Sequence, residues 1–346
     1  MTDLQFGLDT FGDVPLDAAG RPVSHAAAIR HVVEEGVVAD ELGVDAIALG
    51  EHHRMEFSIS SPETVLAGLA TRTKRIRLGS GVTVLSSDDP VRVFERFATL
   101  DALSEGRAEV ILGRGSFTES FPLFGYDLQD YDVLFEEKID LFSQLLTEQP
   151  VTWSGTTRAS LSEADVFPKT ESGRLRTWVG VGGSPQSVVR AAQYGFPLML
   201  AIIGGAPERF RPYVDLYRRA GEQLDAEPQS VGMHSPGFVA ETDEEARSTY
   251  FPAFKVMRDR IGASRGWPPV TYSDFEHELE HGSLYVGSPE TVAAKIARAV
   301  RALDVDRFDL VYSSGPQPMQ ARMRSVELYA SQVIPMVRDL VDAVRA

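Results

Sequence analysis

Short apolar runs alternate along the chain with longer stretches whose apolar positions recur every three or four residues, the two periods of buried strand and amphipathic helix. Leu4–Leu8 (LQFGL), Asp45–Gly50 (DAIALG), Ile76–Val84 (IRLGSGVTV), Ala108–Gly113 (AEVILG) and Thr177–Val181 (TWVGV) read as strands, as do PLMLAII at 197–203, VGMHSPGFVA at 231–240 and Phe308–Tyr312. Between them lie helical patterns. Ser24 is placed to cap the first, whose apolar positions Ala27, Ile29, Val32, Val33, Val37 and Val38 keep a rough helical period up to Gly43. Pro62–Thr71, Pro90–Ser104, Tyr131–Leu146, Pro185–Tyr194, Pro207–Leu224, Asp243–Ile261, Pro289–Leu303 and Met319–Val344 follow. Asp9–Pro22 reads as a polar loop. Gly262–Ser283, which contains Pro268 and Pro269, reads as a long polar, lid-like insertion.

About eight strands, each followed by a helix, call for parallel strands joined by helical crossovers. No change of composition marks a linker, so the expected architecture is α/β: one (β/α)8 TIM barrel over residues 1–346, finished by a C-terminal helix. Two dinucleotide-binding halves fit less well. In GVGGSP, Pro185 falls where the third glycine of that fingerprint belongs. A barrel carries its chemistry on the loops after the C-terminal ends of its strands.

Composition narrows the classes. The chain has 346 residues, is 43% hydrophobic and carries a net charge of −16, which disfavours nucleic acid and anionic membrane as partners. With no cysteine, disulfides, thiolate nucleophiles and cysteine-held metals are excluded. MTDLQFGLDTFGD lacks the basic start and apolar run of a secretory leader, and no stretch has transmembrane length, so a cytoplasmic protein is expected.

Three strand ends hold candidate chemistry. The first is Glu51-His52-His53, where alternation turns one imidazole toward the mouth and leaves its neighbour to pack or cap; the competing reading is a pair of ordinary polar residues. The second is Arg114-Gly115-Ser116. An arginine there suits a phosphate, and equally a salt bridge to a neighbouring acid. The third is Gly182-Gly183-Ser184, where a glycine elbow leads into a helix with Ser184 at its cap, Pro185 at its first position and Ser187 three residues on. Such a start makes an anion site, or simply a capped helix. Ser80-Gly81-Val82 places small residues on the third strand, where a flat ligand can approach the backbone or the barrel can pack tightly. His277–His281 (HELEH) matches H-E-x-x-H formally, but its acidic surroundings favour a solvated helix, and no metal is expected.

Several longer pieces, in this order, carry a resemblance: LGEHH (49–53), RIRLGSGVTVLSSDDPVR (75–92), LDALSEGRAEVILGRGS (100–116), FPLFGYD (121–127), AAQYGFPLML (191–200) and YVGSPE (285–290). The chain resembles the bacterial luciferase-like, flavin-dependent monooxygenases almost end to end, most closely the luciferase α-type chain of the FMN branch. The resemblance implies that His52 is the catalytic histidine and that Arg114 binds the cofactor phosphate. It implies that Gly182, Gly183, Ser184 and Ser187 form the phosphate cradle. Ser80, Gly81 and Val82 then support the flavin ring, with a non-proline cis peptide at Gly81–Val82, and Gly262–Ser283 is a mobile lid. The chain departs from the family at Asp132, which stands in place of a second phosphate arginine, at Gly113 in place of a reactive cysteine, and at Ile202 in place of a tryptophan.

The implied activity is oxidation of an apolar organic substrate by reduced FMN and O2 through a peroxyflavin, without light emission, with the flavin delivered by a separate NAD(P)H:flavin reductase and the protein acting as a homodimer. The alternatives are hydride transfer with the deazaflavin F420 on the same fold, and a flavin-binding barrel without turnover.

Overall fold

Alternation along the strands decides which side chains enter the barrel. In β1 (Gln5–Thr10), Phe6 and Leu8 belong to the apolar layer beneath the helices, while Gly7 lies against Asp309 and Asp9 against Gly81, both inside. The computed structural model describes residues 4–115 and 117–345. After β1 come β2 (Ala46–Leu49), β3 (Arg77–Val84), β4 (Ala108–Gly113), an antiparallel hairpin of β5 (Val151–Trp153) and β6 (Leu161–Ala164), then β7 (Arg176–Val181), β8 (Leu198–Ala201), β9 (Val231–Val239), the short β10 (Tyr285–Gly287) and β11 (Arg307–Val311). Parallel pairing runs β1-β2-β3-β4-β7-β8-β9-β11 and returns to β1, closing eight strands into a ring. This is the expected (β/α)8 barrel. β10 adds only to the end of β9.

The large apolar core lies between the barrel wall and the helices, where Phe94, Phe97, Phe135 and Phe142 are sealed from solvent. The barrel interior is polar. Arg307 donates to Glu109 at 2.6 Å and from two nitrogens to Asp309 at 2.8 Å, and the guanidinium lies 5.3 Å over the ring of Trp178. Above this floor, Ala48, Ile111, Trp178 and Met199 form a thin apolar layer with Val82 packed on it.

Helix starts follow their sequence signals: Ser24 accepts from the Ala27 N–H, Asp89 from Val91 and Arg92, and Ser184 from Ser187. Three regions differ from expectation. β1 continues to Thr10, so Asp9 is an interior strand residue and not part of a loop. The β5–β6 hairpin has no counterpart in the sequence reading. Gly262–Ser283 is largely helical: the helix from Asp243 continues to Arg265, past the expected end at Ile261, and Tyr272–Glu280 forms another. A reciprocal capping box between Thr271 and Asp274 starts that second helix, and Phe275, fully buried among Tyr250, Phe251 and Phe254, anchors it. The closing helix is interrupted by a π turn at Tyr329–Val333. Among the described residues no helix is long and apolar enough to cross a membrane.

Removing the Arg307 guanidinium leaves two buried carboxylates without their cation. Arg307→Met is expected to lower stability by about 3–5 kcal/mol, read from urea unfolding.

Candidate active site

Five glycines occupy the ends of four neighbouring strands: Gly50 after β2, Gly81 in β3, Gly113 closing β4, and Gly180 and Gly182 at the end of β7. Each lowers the wall of the barrel mouth. A Cβ on Gly50 would sit 2.3 Å from the Phe11 ring, and one on Gly113 would lie 2.5 Å from the Val82 side chain. At Gly182 a Cβ would meet nothing, and at Gly183, whose φ of +120° suits glycine, only the Tyr213 hydroxyl at 3.8 Å. The β3–β4 register shifts between Gly81 and Thr83, so Val82 is the extra residue of a bulge, and the Gly81–Val82 peptide is cis. The bulge turns Val82 into the barrel, over Gly113 and Gly180, where it tops the apolar layer.

Beside this platform stands His52. Its ring is enclosed by Phe11, Phe57 and Phe117 at centroid separations of 4.8, 4.6 and 4.4 Å, and its Nδ1 is 3.0 Å from Glu119 Oε1. Burial works to raise the Glu119 carboxyl, but the hydrogen bond from His52 holds it below the usual carboxylate range. The carboxylate fixes the imidazole by one nitrogen and leaves Nε2 for a second partner, the arrangement of an oriented acid, base or donor. His53 is turned away: Nε2 meets Glu51 Oε1 at 3.2 Å and its ring edge packs on Phe124. The expectation that the two histidines diverge is met.

Across the mouth, Arg114 lies 5.1 Å over the Tyr131 ring and donates to Asp132 Oδ1 at 2.9 Å. Tyr131 in turn donates to the Gly115 carbonyl at 2.9 Å. The salt-bridge reading of Arg114 is therefore realised, by the very acid that the sequence placed against the phosphate. Ser184 caps its helix and donates to Gln186 Oε1, while the Ser187 hydroxyl accepts from Arg190. Arg190 is held by Glu136. Tyr213 donates to the Gly183 carbonyl at 2.8 Å, fixing the elbow from behind.

One candidate needs correction. Ser80 is fully buried on the outward face of β3, opposite Gly79 and Gly81, and its hydroxyl accepts from Thr83 at 2.8 Å. Strand alternation takes it away from the mouth. Ser116 lies outside the described residues. HELEH is on the Tyr272–Glu280 helix and at its C-cap, with His277 and His281 neighbours 5.1 Å apart, but the Glu278 carboxylate accepts from the Gly205 and Ser283 backbone N–H groups. Among the described residues no group of three or more His, Cys, Asp or Glu is placed to hold a metal ion.

Sequence reasoning missed Glu119, the three phenylalanines and, on the interior wall, Asp9 and His234. The last two were legible in principle. In FGLDT and VGMHS a polar residue sits two positions from a glycine on the face opposite the apolar ones. The cage residues are far apart in sequence and gave no signal.

The hydrogen bond to Glu51 holds His53 above the ordinary histidine range, against an opposing effect of burial. The stabilisation it provides is complete below about pH 6 and fades as the pH rises through the raised value. Glu51→Gln is expected to bring the His53 titration, followed by NMR, down to or below that ordinary range.

Residues 11–307 match the family described as luciferase-like monooxygenase. The chain is 29% identical over 327 residues to 4-hydroxyprotoasukamycin monooxygenase of Streptomyces nodosus subsp. asukaensis, covering 89% of this chain and 86% of that protein. Among solved structures, the monooxygenase RslO1 from Streptomyces bottropensis superposes with a TM-score of 0.84 at 26% identity, covering 96% and 99% of the two chains. The fold is shared at 18% identity (TM-score 0.77; 96% and 98% covered) with the oxygenating constituent of 3,6-diketocamphane monooxygenase from Pseudomonas putida, a type II Baeyer-Villiger enzyme solved with FMN. It is also shared at 19% identity (TM-score 0.72; 96% and 99% covered) with the F420-dependent tetrahydromethanopterin reductase from Methanopyrus kandleri. A match over this much of a barrel with this mouth leaves one assignment: the chain belongs to the luciferase-like monooxygenase family.

Proposed function

We propose that this protein is a flavin-dependent monooxygenase that takes reduced FMN from a separate NAD(P)H:flavin reductase and, with O2, oxidises an apolar organic substrate. The observation that carries the reading is the division of the mouth: glycine-lined strand ends under a bulged platform, a cation and a helix start on one side, a caged imidazole on the other. A planar ring with a phosphate tail fits that division. Glycines at 113 and 180 make room for Val82, on which the ring would lie, and the open space at Gly182 and Gly183 suits the tail.

Arg114, Ser184 and Ser187 would hold the phosphate together with the N-terminus of the helix Pro185–Gln193. Arg114 would release the Asp132 carboxylate and hold the phosphate in its place. Ser187 keeps its own O–H to donate while accepting from Arg190. Bound reduced FMN supplies the electrons with which O2 is activated; the protein orients the reactants and excludes water. Phe11, Phe57 and Phe117 dry the surroundings of His52, and Glu119 aims its free nitrogen as a hydrogen-bond or proton donor. Glycine at 113 and isoleucine at 202, where luciferase has cysteine and tryptophan, support oxidation without light.

The second reading, hydride transfer with F420, draws on the fold likeness to the F420-dependent reductase. A third is a flavin-binding barrel without turnover. Titration of the purified protein with FMN, oxidised and reduced, decides among them. The FMN reading expects Arg114→Ala to weaken binding by about 1.5–3 kcal/mol, and it fails if F420 binds and FMN does not. His52→Ala is expected to retain FMN and to lose about 10²–10⁴ in oxygen-dependent product formation. Retained turnover in that variant removes the role given to the imidazole; FMN binding without any oxygen consumption favours the non-catalytic barrel.

A further inference from the structure

A second histidine–carboxylate pair lies deeper in the same mouth. His234 of β9 and Asp9 of β1 approach to 2.7 Å between Nδ1 and Oδ2, although they are 225 positions apart in the chain. Asp9 is fully buried, and its other oxygen, Oδ1, has no hydrogen-bond partner among the described residues. Both carboxylate oxygens crowd Gly81, at 2.9 and 3.1 Å from the position a Cβ would take. The pair therefore abuts the bulged peptide that carries the Val82 platform.

The imidazole is anchored by one nitrogen only. Its Nε2 makes no hydrogen bond with a described residue, and the side chain keeps 9% exposure. That exposure opens upward, because the barrel below is filled by the Glu109–Arg307–Asp309 cluster, by Trp178, and by Met199 against Gly232. The charged groups facing the ring are Asp9 from β1 and Asp309 and Arg307 from β11; its β8 neighbour is Ala201. Burial draws the imidazole down, and Asp9 first and Asp309 next outweigh it, so the ring is held above the ordinary histidine range.

We propose that His234 is a ligand-binding residue of the mouth, with Asp9 fixing its Nδ1 and its Nε2–H donating to the negatively charged edge of a reduced flavin ring. The inference rests on the FMN reading above. Two-electron reduction adds negative charge to the ring that the oxidised form lacks. A charged donor on the interior wall thus discriminates between redox forms, whereas the phosphate site does not. Asp9 is a positioning residue, acting through His234.

The test is anaerobic titration of the full-length protein with FMN, oxidised or reduced by dithionite, followed by flavin absorbance and fluorescence. Unsubstituted protein, Arg114→Ala, His234→Gln and Asp9→Asn are compared, and the folding of each is checked by circular dichroism. The unsubstituted protein is expected to bind reduced FMN at least tenfold more tightly than oxidised FMN. His234→Gln and Asp9→Asn should abolish most of that preference while leaving oxidised FMN within about twofold. Arg114→Ala should weaken both forms alike. If the unsubstituted protein shows no redox preference, or if His234→Gln weakens both forms equally or neither, the inference is overturned while the cofactor reading stands. The preference of the unsubstituted protein decides even where a variant fails to fold. If the unsubstituted protein binds neither form, the cofactor reading falls and this inference falls with it.

Discussion

The structure depends on what fills the inside of the ring. Eight parallel strands at alternating pitch send every second residue inward, and that interior must be packed or electrostatically satisfied before the helices outside can settle. Here the lower half is closed by one guanidinium, Arg307, shared between Glu109 and Asp309 and laid on Trp178. Such a cluster is a poor source of net stability compared with apolar packing. Its effect is geometric: three side chains from β4 and β11 fix one another across the barrel and leave the upper half to be built from glycine.

That upper half is where structure becomes chemistry. At the rim, Gly50, Gly81, Gly113 and Gly180 leave room for the side chains of Phe11, Asp9 and Val82, and only Gly182 is open. The bulge at Gly81–Thr83 pushes Val82 over the apolar layer and shapes the wall into a platform. Two histidine–carboxylate pairs flank it, His52–Glu119 among phenylalanines at the rim and His234–Asp9 on the interior wall. Each is held by Nδ1 on a carboxylate. Their surroundings differ: an aromatic cage excludes water around His52, whereas His234 faces the charged floor.

Arg114 is engaged before any ligand arrives. Its strand-end position and its stacking on Tyr131 suit an anion, yet the side chain is engaged by Asp132, which is itself largely exposed. An exposed pair of this kind is weak, so a doubly charged ligand can displace it.

The sequence by itself determined the fold class, because strand and helix are written in local periods and caps. Its residue-by-residue resemblance pointed to Arg114, Gly183 and Ser184 for the same reason: their neighbours in the chain are also their neighbours in space. Only the tertiary structure decided that Val82 enters the barrel, since the bulge between Gly81 and Thr83 breaks the alternation that already turns Ser80 outward. It alone decided where the helices of Gly262–Ser283 end and begin, because the anchor for Phe275 comes from residues twenty or more positions earlier. It alone brought Glu119 to His52 and His234 to Asp9, pairs 67 and 225 residues apart, which no period along the chain can encode. Local patterns report local geometry; contacts made by closing a ring exist only once the ring has closed.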